Sequence, residues 1–422
     1  MRNPKYPSPT PLPVSPRRPR RAPSAALARI VACVALAACG SLITDAPDGG
    51  DLLDAPVDGL SDAEAAAFAR GDAEFDRRFA PASGLGPIFN NVSCAACHSG
   101  DGRGQLRNAL HRFGSADNDF LRTLGGPQLQ DRATSGAEPE RLPEGVPVSV
   151  RLPPPVFGVG LIEAIPDETL LALADPDDAD GDGISGRPNY VVSADYVPHT
   201  EPGHATSLVI GRFGRKAQTA TLLEQVVEAY HQDIGITSDF RLVENRNPLS
   251  SVPVEAADRA GDPEIPVGTV QAVVHYIRAL APPRPGSESA ERQRGGEIFA
   301  SIGCARCHVP VLQTGTSPVP ALAHRPAALY SDLLLHDMGD ALADRRPDGD
   351  ATGREWRTTP LWGLRLMRQF LDGDALLMHD GRARSVEAAI LLHGGESARA
   401  RDAFIALPPA SRSALLDFVE SR

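Results

Sequence analysis

Two pentapeptides of the form C-x-x-C-H constrain this chain more than any other feature: Cys94-Ala95-Ala96-Cys97-His98 and Cys304-Ala305-Arg306-Cys307-His308. On a helical turn the two thiols of each motif stand one turn apart with an imidazole beside them. That geometry lets both sulfurs bond the vinyl groups of a haem while the histidine takes the iron. A zinc site would want two C-x-x-C pairs brought together and gives no reason for a histidine after both. A thioredoxin-like pair would occur once, in an α/β setting. Disulfides within C-x-x-C would be local and of little structural use. The pattern predicts two covalent c-type haems, attached at Cys94, Cys97, Cys304 and Cys307, with His98 and His308 as proximal iron ligands.

The only other cysteines are Cys33 and Cys39. They fall in a segment with Arg17, Arg18, Arg20, Arg21 and Arg29 ahead of an apolar run from Ile30 to Ala38, ending Leu36-Ala37-Ala38-Cys39-Gly40. The apolar run is too short to span a bilayer, and its small-residue end reads as a cleavage site. Leu-Ala-Ala-Cys resembles the bacterial lipoprotein signal. The expectation is a signal over 1–38, lipidation at Cys39, and an exported body in the periplasm or cell envelope, touching a membrane only through its anchor. Export to an oxidising compartment also suits c-type haem assembly.

The chain has 422 residues and a net charge of −12, although residues 1–38 carry basic residues and no acid. So acidic a body excludes nucleic acid as a partner, since phosphate binding needs a basic face. Aromatic residues are 5 %, against 39 Gly and 39 Pro, so a loop-rich chain needs something large to fill its interior. Two haems would do so.

Residues 39–66 read as a tether, and Ala281-Pro282-Pro283-Arg284-Pro285-Gly286-Ser287 as an interdomain linker. They delimit an N-terminal haem domain with long insertions, 67–285, and a C-terminal one, 286–422. Helical periodicity marks 62–79, 167–174, 221–231, 269–280, 289–302 and 386–393. No strand run of convincing length appears. Each unit shows a phenylalanine (Phe79, Phe299), a glycine-bearing turn and then C-x-x-C-H, which is how a cytochrome c domain opens. The expected class is mainly α: two cytochrome c-like domains with long irregular loops, each holding one covalent haem.

From residue 71 onward the chain resembles the di-haem oxidoreductase family related to bacterial di-haem cytochrome c peroxidases. It is also similar to the methylamine-utilisation di-haem enzyme, which oxidises a partner protein. The resemblance rests on Gly84-Leu85-Gly86-Pro87-Ile88-Phe89-Asn90, on 158–166, on 180–189, on Asp332-Leu333-Leu334-Leu335-His336-Asp337-Met338-Gly339, on 355–363 and on His379-Asp380-Gly381-Arg382-Ala383-Arg384.

In the peroxidases the His-Asp-Gly run precedes the distal ligand of the C-terminal haem. The resemblance thus puts His379 at that cofactor and makes His393 the iron's second ligand, with Met338 and His336 as the next candidates. An imidazole there in place of a thioether lowers the potential. The segment 213–225 resembles the peroxidase stretch from an inter-haem tryptophan to an active-site glutamine. It places Gln225 on the glutamine but Arg215 on the tryptophan, so Trp356 and Trp362 become candidates for the electron bridge. The catalytic glutamate falls on Gly235. The acids nearby are Asp233, then Glu163 and Glu228. For the N-terminal haem the reading is an open or weakly held distal position, with His111 as the weaker alternative.

Asp178, Asp180 and Asp182 have the D-x-D-x-D-G spacing of a calcium loop, and several relatives hold calcium between domains. The functional expectation is a peroxidase-like enzyme that takes electrons from a small redox protein or cytochrome at the C-terminal haem. It would activate peroxide or a related oxidant at the N-terminal one. A di-haem electron carrier and an oxidase of a partner protein remain alternatives.

Overall fold

The computed structural model describes residues 52–422 apart from 99, 101, 116–120, 204–207, 254–256 and 372. The signal segment and Cys39 lie outside the described residues. Helices run α1 Asp62–Asp76, α2 Cys94–Cys97, α3 Val159–Glu163, α4 Asp167–Leu173, α5 Leu222–Ala229, α6 Val267–Ala279, α7 Ala290–Ser301, α8 Leu364–Phe370, α9 Val386–Leu392, α10 Ala398–Ala406 and α11 Pro409–Glu420. All six helices expected from periodicity are present, shifted by a few residues at their ends.

The strands missing from the sequence reading are short. β1 Ile88–Phe89 pairs β3 Arg132–Ala133, and β2 Leu110–Phe113 pairs β4 Val148–Arg151. β5 Tyr190–Val192 pairs β6 Leu208–Ile210, β7 Leu312–Gln313 pairs β8 Pro326–Ala327, and β9 Leu335–Asp337 pairs β10 Glu355–Arg357. Each is an antiparallel two-stranded ladder. At two to four residues apiece they leave no alternation long enough to read from sequence. The chain is therefore mixed, with helices carrying the core and ladders pinning the loops.

A glycine crossing repeats around the two motifs. On α1, a Cβ at Gly71 would lie 2.2 Å from the Ala272 carbonyl oxygen of α6. On α7, a Cβ at Gly295 would lie 2.1 Å from the Ala414 carbonyl oxygen of α11. Only glycine allows backbones to approach so closely. One turn beyond each glycine sits a buried phenylalanine, Phe75 and Phe299, against the histidine of the nearby motif. Phe75, and not Phe79, is thus the partner of Phe299. Phe79 follows the end of α1 and packs edge-on against Tyr230. Burying each such ring contributes about 1.5–3 kcal/mol.

Residues 52–66 are not a free tether. Leu53 and Val57 are buried in the main core, and Pro56 bridges to Leu280. Ser61 starts α1 with a capping box, its hydroxyl accepting from the Glu64 N–H while the Glu64 carboxylate accepts from the Ser61 N–H. The main core gathers Phe75, Leu222, Val273 and Ile277 near the first motif, and also takes Leu329, Trp362 and Leu366 from beyond residue 286. A second core joins Phe299, Phe404, Leu415 and Phe418, and takes in Leu152. All of this lies in one compact unit, 48–422.

Candidate functional site

The two C-x-x-C-H motifs are built alike. The first is a helical turn capped by Ser93, whose hydroxyl accepts from the Ala96 N–H at 3.1 Å. The second is a 3-10 turn over 304–306, entered through Gly303 at φ +94°. His98 points Nδ1 at the Pro154 carbonyl, 2.8 Å away, and His308 points Nδ1 at the Tyr330 carbonyl, 2.9 Å away. An Nδ1–H donated to a carbonyl fixes the tautomer and leaves Nε2 for a metal. Burial pushes both imidazoles down to about 4, so both are neutral, as iron ligation requires. Phe75 and Phe299 brace them with ring centroids at 6.1 and 6.2 Å. None of the four motif cysteines is in a disulfide, and burial drives the Cys97 and Cys304 thiols up to about 12.

Cys94, Cys97 and His98 form one wall of a largely apolar cavity of ≈ 1280 Å³ of empty space, open mouth included. Phe157, Phe213, Val226, Val273 and Ile277 line it further. Two thiols and a preset imidazole facing apolar space of this size fit a haem. Gln225 and Asp233 also line the cavity, and the buried Gln225 Oε1 has no hydrogen-bond partner. Among the described residues the lining contains no histidine besides His98 and no methionine. His111 is absent from it; its strand neighbour Leu110 lines the cavity, and successive side chains on a strand point to opposite faces.

Gln225 owes its place to α5, which Thr221 caps by accepting from the Glu224 N–H at 3.1 Å. The helix then widens into a π-turn over Tyr230–Ile234, closed by Gly235 at φ +74°. Wider turns of this kind cluster at functional sites. This one carries Asp233 to the cavity while its carbonyl accepts from the Asn90 and Asn91 N–H groups. Burial lifts the Asp233 carboxyl to about 6, against the Gln128 amide that donates to it and the Arg112 charge nearby. Gln128 escaped the sequence reading because no local pattern ties it to Asp233.

Glu163 and Glu228 do not join this site. Glu163 is buried with both carboxylate oxygens engaged, by Arg278 at 2.5 and 3.1 Å and by the Leu222 N–H at 3.2 Å. It anchors the start of α5, and the cavity lining does not include it. Glu228 pairs with Arg241 and accepts from Tyr196 and Gln232.

Around the second motif, His393 follows α9 with Nδ1 2.8 Å from the Ala389 carbonyl. That Nδ1–carbonyl contact repeats the ones at His98 and His308. His393 lies close enough to His308 to disfavour the latter's protonated form. Met338 sits beside it, its sulfur 3.8 Å from the Ser397 hydroxyl and its carbonyl against Gly394. His336 is different. Nε2 is 2.8 Å from Asp332 and Nδ1 is 2.7 Å from Glu396, and these carboxylates hold its pKa well above the usual range. An imidazolium with both nitrogens taken is no iron ligand, so His336 is corrected to a structural group. Glu396, which sequence reading missed, ties it to Ser185 and the Asp337 N–H.

The two tryptophans take different places. Trp362 lines the first cavity, packed over Gly158. Trp356, on β10, stacks on His379 and donates its indole N–H to the Leu342 carbonyl at 3.0 Å. In the acidic loop Asp178 and Asp180 converge with Asp175, their oxygens within 4.8 Å of one another. Asp182 turns away to pair with Arg306 of the second motif. Asp175 precedes the D-x-D-x-D-G run, so the spacing alone did not flag it.

A family model described as "Di-haem oxidoreductase, putative peroxidase" matches residues 36–113 and 129–422. No curated protein matches the chain. Among solved structures, the chain is similar to hydrazine synthase of Kuenenia stuttgartiensis, determined under 20 bar xenon, at 16 % identity and a TM-score of 0.37. That match covers 87 % of this chain and 90 % of the other. Among the described residues no helix is long and apolar enough to cross a membrane.

Proposed function

The chain belongs to the di-haem oxidoreductase family, and on that premise we propose a c-type enzyme that reduces peroxide or a related small oxidant at the Cys94–His98 site. Electrons would come from a small redox protein at the Cys304–His308 site. The observation that carries this reading is the composition of the first cavity: Gln225 and Asp233 face it, and among the described residues its lining offers His98 but no second histidine or methionine. Cys94 and Cys97 would hold one haem with His98 on the iron, and Cys304 and Cys307 the other with His308 and His393. When bound, haem supplies one-electron redox chemistry and an iron position for a small oxidant.

Reducing one peroxide to two waters takes two electrons and two protons. Asp233, with its pKa near 6, is suited to take the first proton from the incoming peroxide and return it to the leaving oxygen. Gln225 Oε1 accepts a hydrogen bond from the oxidant's O–H and orients it. The acidic net charge favours a cationic donor protein. Export and lipid attachment through Cys39 belong to the same proposal, as does calcium held by Asp175, Asp178 and Asp180, which titration calorimetry of the purified protein would test.

Low-temperature EPR of the purified holo-protein, oxidised and then half-reduced, tests the reading. A high-spin ferric signal, present at once or after one electron, is expected. Two low-spin centres in both states would leave an electron carrier. Oxidation of a protein partner with no peroxide turnover by a reduced cytochrome would favour the protein-oxidising alternative.

A further inference from the structure

Three arginines meet behind the first cavity. Arg215 and Arg357 line it, and Arg103 comes from the loop just after His98. Arg103 and Arg215 are 4 % and 6 % exposed, so their charges are withdrawn from water. Their hydrogen bonds go to neutral groups. Arg103 donates to the Met378 carbonyl, and Arg215 donates twice to the Leu152 carbonyl, at 2.9 and 3.3 Å. The buried Nε atoms of Arg103 and Arg357 have no partner.

The acids that would compensate them are already committed. Asp380 is the carboxylate whose charge acts on Arg103 and Arg215, but it is paired with its own Arg382 at 2.7 Å. Asp332 is nearest to Arg357, but it holds His336. Among the described residues, no carboxylate comes within 4.0 Å of any of the three guanidiniums. Arg151 is buried close by and pairs with Asp344 and Asp348, so the fold does neutralise a buried arginine where it has the partners. Burial holds Arg103 and Arg357 down to about 10, and burial together with repulsion from Arg103, Arg357 and Arg151 holds Arg215 well below its usual range. A buried cluster of like charge without counterions is strongly unfavourable. It calls for an anion from outside the chain, and planar, forked guanidiniums suit a carboxylate.

We propose that Arg215 and Arg357, backed by Arg103, receive the propionate carboxylates of the haem attached at Cys94 and Cys97. This rests on the haem reading of the first motif and adds to it an orientation. The propionate edge points toward the Arg215 side of the cavity, and Arg215, at the position where the resemblance expects a tryptophan, becomes an anion clamp. The arginines then raise the potential of that haem, because positive charge beside the propionates favours the ferrous state.

The test is spectroelectrochemical titration of holo-protein carrying Arg215→Gln or Arg357→Gln, each with Arg→Lys as its conservative counterpart. Haem content of the unsubstituted protein is measured first by its pyridine haemochrome spectrum. At the unsubstituted midpoint, each Gln variant should lower the ferrous-to-ferric ratio of the first haem by about tenfold, about 59 mV for one electron. The Lys variants should recover most of that loss, and the second haem should barely move. Resonance Raman of the propionate bending mode should shift in the same variants. Unchanged midpoints, or equal shifts at both haems in a protein that carries both, would overturn the clamp and leave the haem reading standing. Protein without covalent haem would overturn both. Should the Gln variants fail to fold, a Lys variant whose propionate Raman band is unshifted would refute the clamp.

Discussion

The rings of Trp356 and His379 lie parallel, 9° apart in plane and 3.8 Å between centroids. The His379 carbonyl accepts from the Leu152 N–H at 2.9 Å. Leu152 is buried in the second core, and Pro153, Pro154 and Pro155 follow it along the wall of the first cavity. There the Pro154 carbonyl meets the His98 ring. A stacked aromatic pair therefore sits at one end of a short path of bonds whose other end is His98. Burial pushes the His379 imidazole down to about 3, so it stacks as a neutral ring.

If this pair carries electrons between the centres, Trp356→Leu should slow their exchange after flash reduction of one haem, while both haems stay attached. Trp356→Phe keeps a ring in the stack and should lose less. Truncation to alanine would cost about 3–5 kcal/mol of stability and confuse the result. An exchange rate equal to that of the unsubstituted protein in the Leu variant would remove Trp356 from the route.

The Asp233 carboxyl, raised from 3.8 to about 6 chiefly by burial, makes two pH predictions. A base must be deprotonated to act, so peroxide turnover should fall as pH drops through about 6. Asp233→Asn should flatten that limb and lower kcat by roughly 10²–10⁴. Stability moves the other way. The folded state binds this proton more tightly than the unfolded state between about pH 4 and 6. The contribution is therefore present at low pH and lost as pH rises through that window. Thermal melts of Asp233→Asn should lack that decline. A turnover profile unchanged in the Asn variant would exclude Asp233 as the acid–base group.

What was legible in the sequence follows the range of the interaction. The C-x-x-C-H runs and the helices are set by spacing within a few residues, and Gln225, which came from the family resemblance, lies on the wall of the first cavity. Asp233 emerged as the nearest acid to a missing glutamate, and the π-turn ending at Gly235 carries it to the cavity. The errors involve partners far along the chain. Nothing near Glu163 announces that Arg278 will occupy its carboxylate. Nothing near His336 announces Glu396, and nothing near Asp182 announces Arg306. The choice of Phe79 over Phe75 failed for a smaller reason: α1 ends at Asp76, so only Phe75 lies on the helix that faces His98.

His393 shares with His98 and His308 an Nδ1 held by a carbonyl, at 2.8 Å. If it ligates the second iron, His393→Met should raise that haem's potential, because a thioether favours the ferrous state more than an imidazole does. His393→Ala should turn its ferric signal from low-spin to high-spin unless Met338 swings in, and the double variant with Met338→Leu removes that escape. A redox titration unchanged by His393→Met would exclude His393.

The glycine crossings are testable without any cofactor readout. A Cβ at Gly71 would meet the Ala272 oxygen at 2.2 Å and the Tyr276 Cβ at 2.5 Å. At Gly295 it would meet the Ala414 oxygen at 2.1 Å and the Phe418 Cβ at 2.7 Å. Both obstacles include backbone, so relief requires the helices to separate. Overpacking typically costs about 1–3 kcal/mol, and backbone collisions this close put Gly71→Ala and Gly295→Ala at the upper end. Gly268, at the start of α6, has nothing within 4 Å of the built Cβ. There Gly268→Ala should be neutral or mildly stabilising, since alanine is the better helix former by about 0.8–1 kcal/mol. Moving α1 away from α6 also moves Phe75 away from His98. Gly71→Ala should therefore disturb the first haem's spectrum and spare the second, and Gly295→Ala the reverse. Melting temperatures no lower than that of Gly268→Ala would show that the helices do not cross at these glycines.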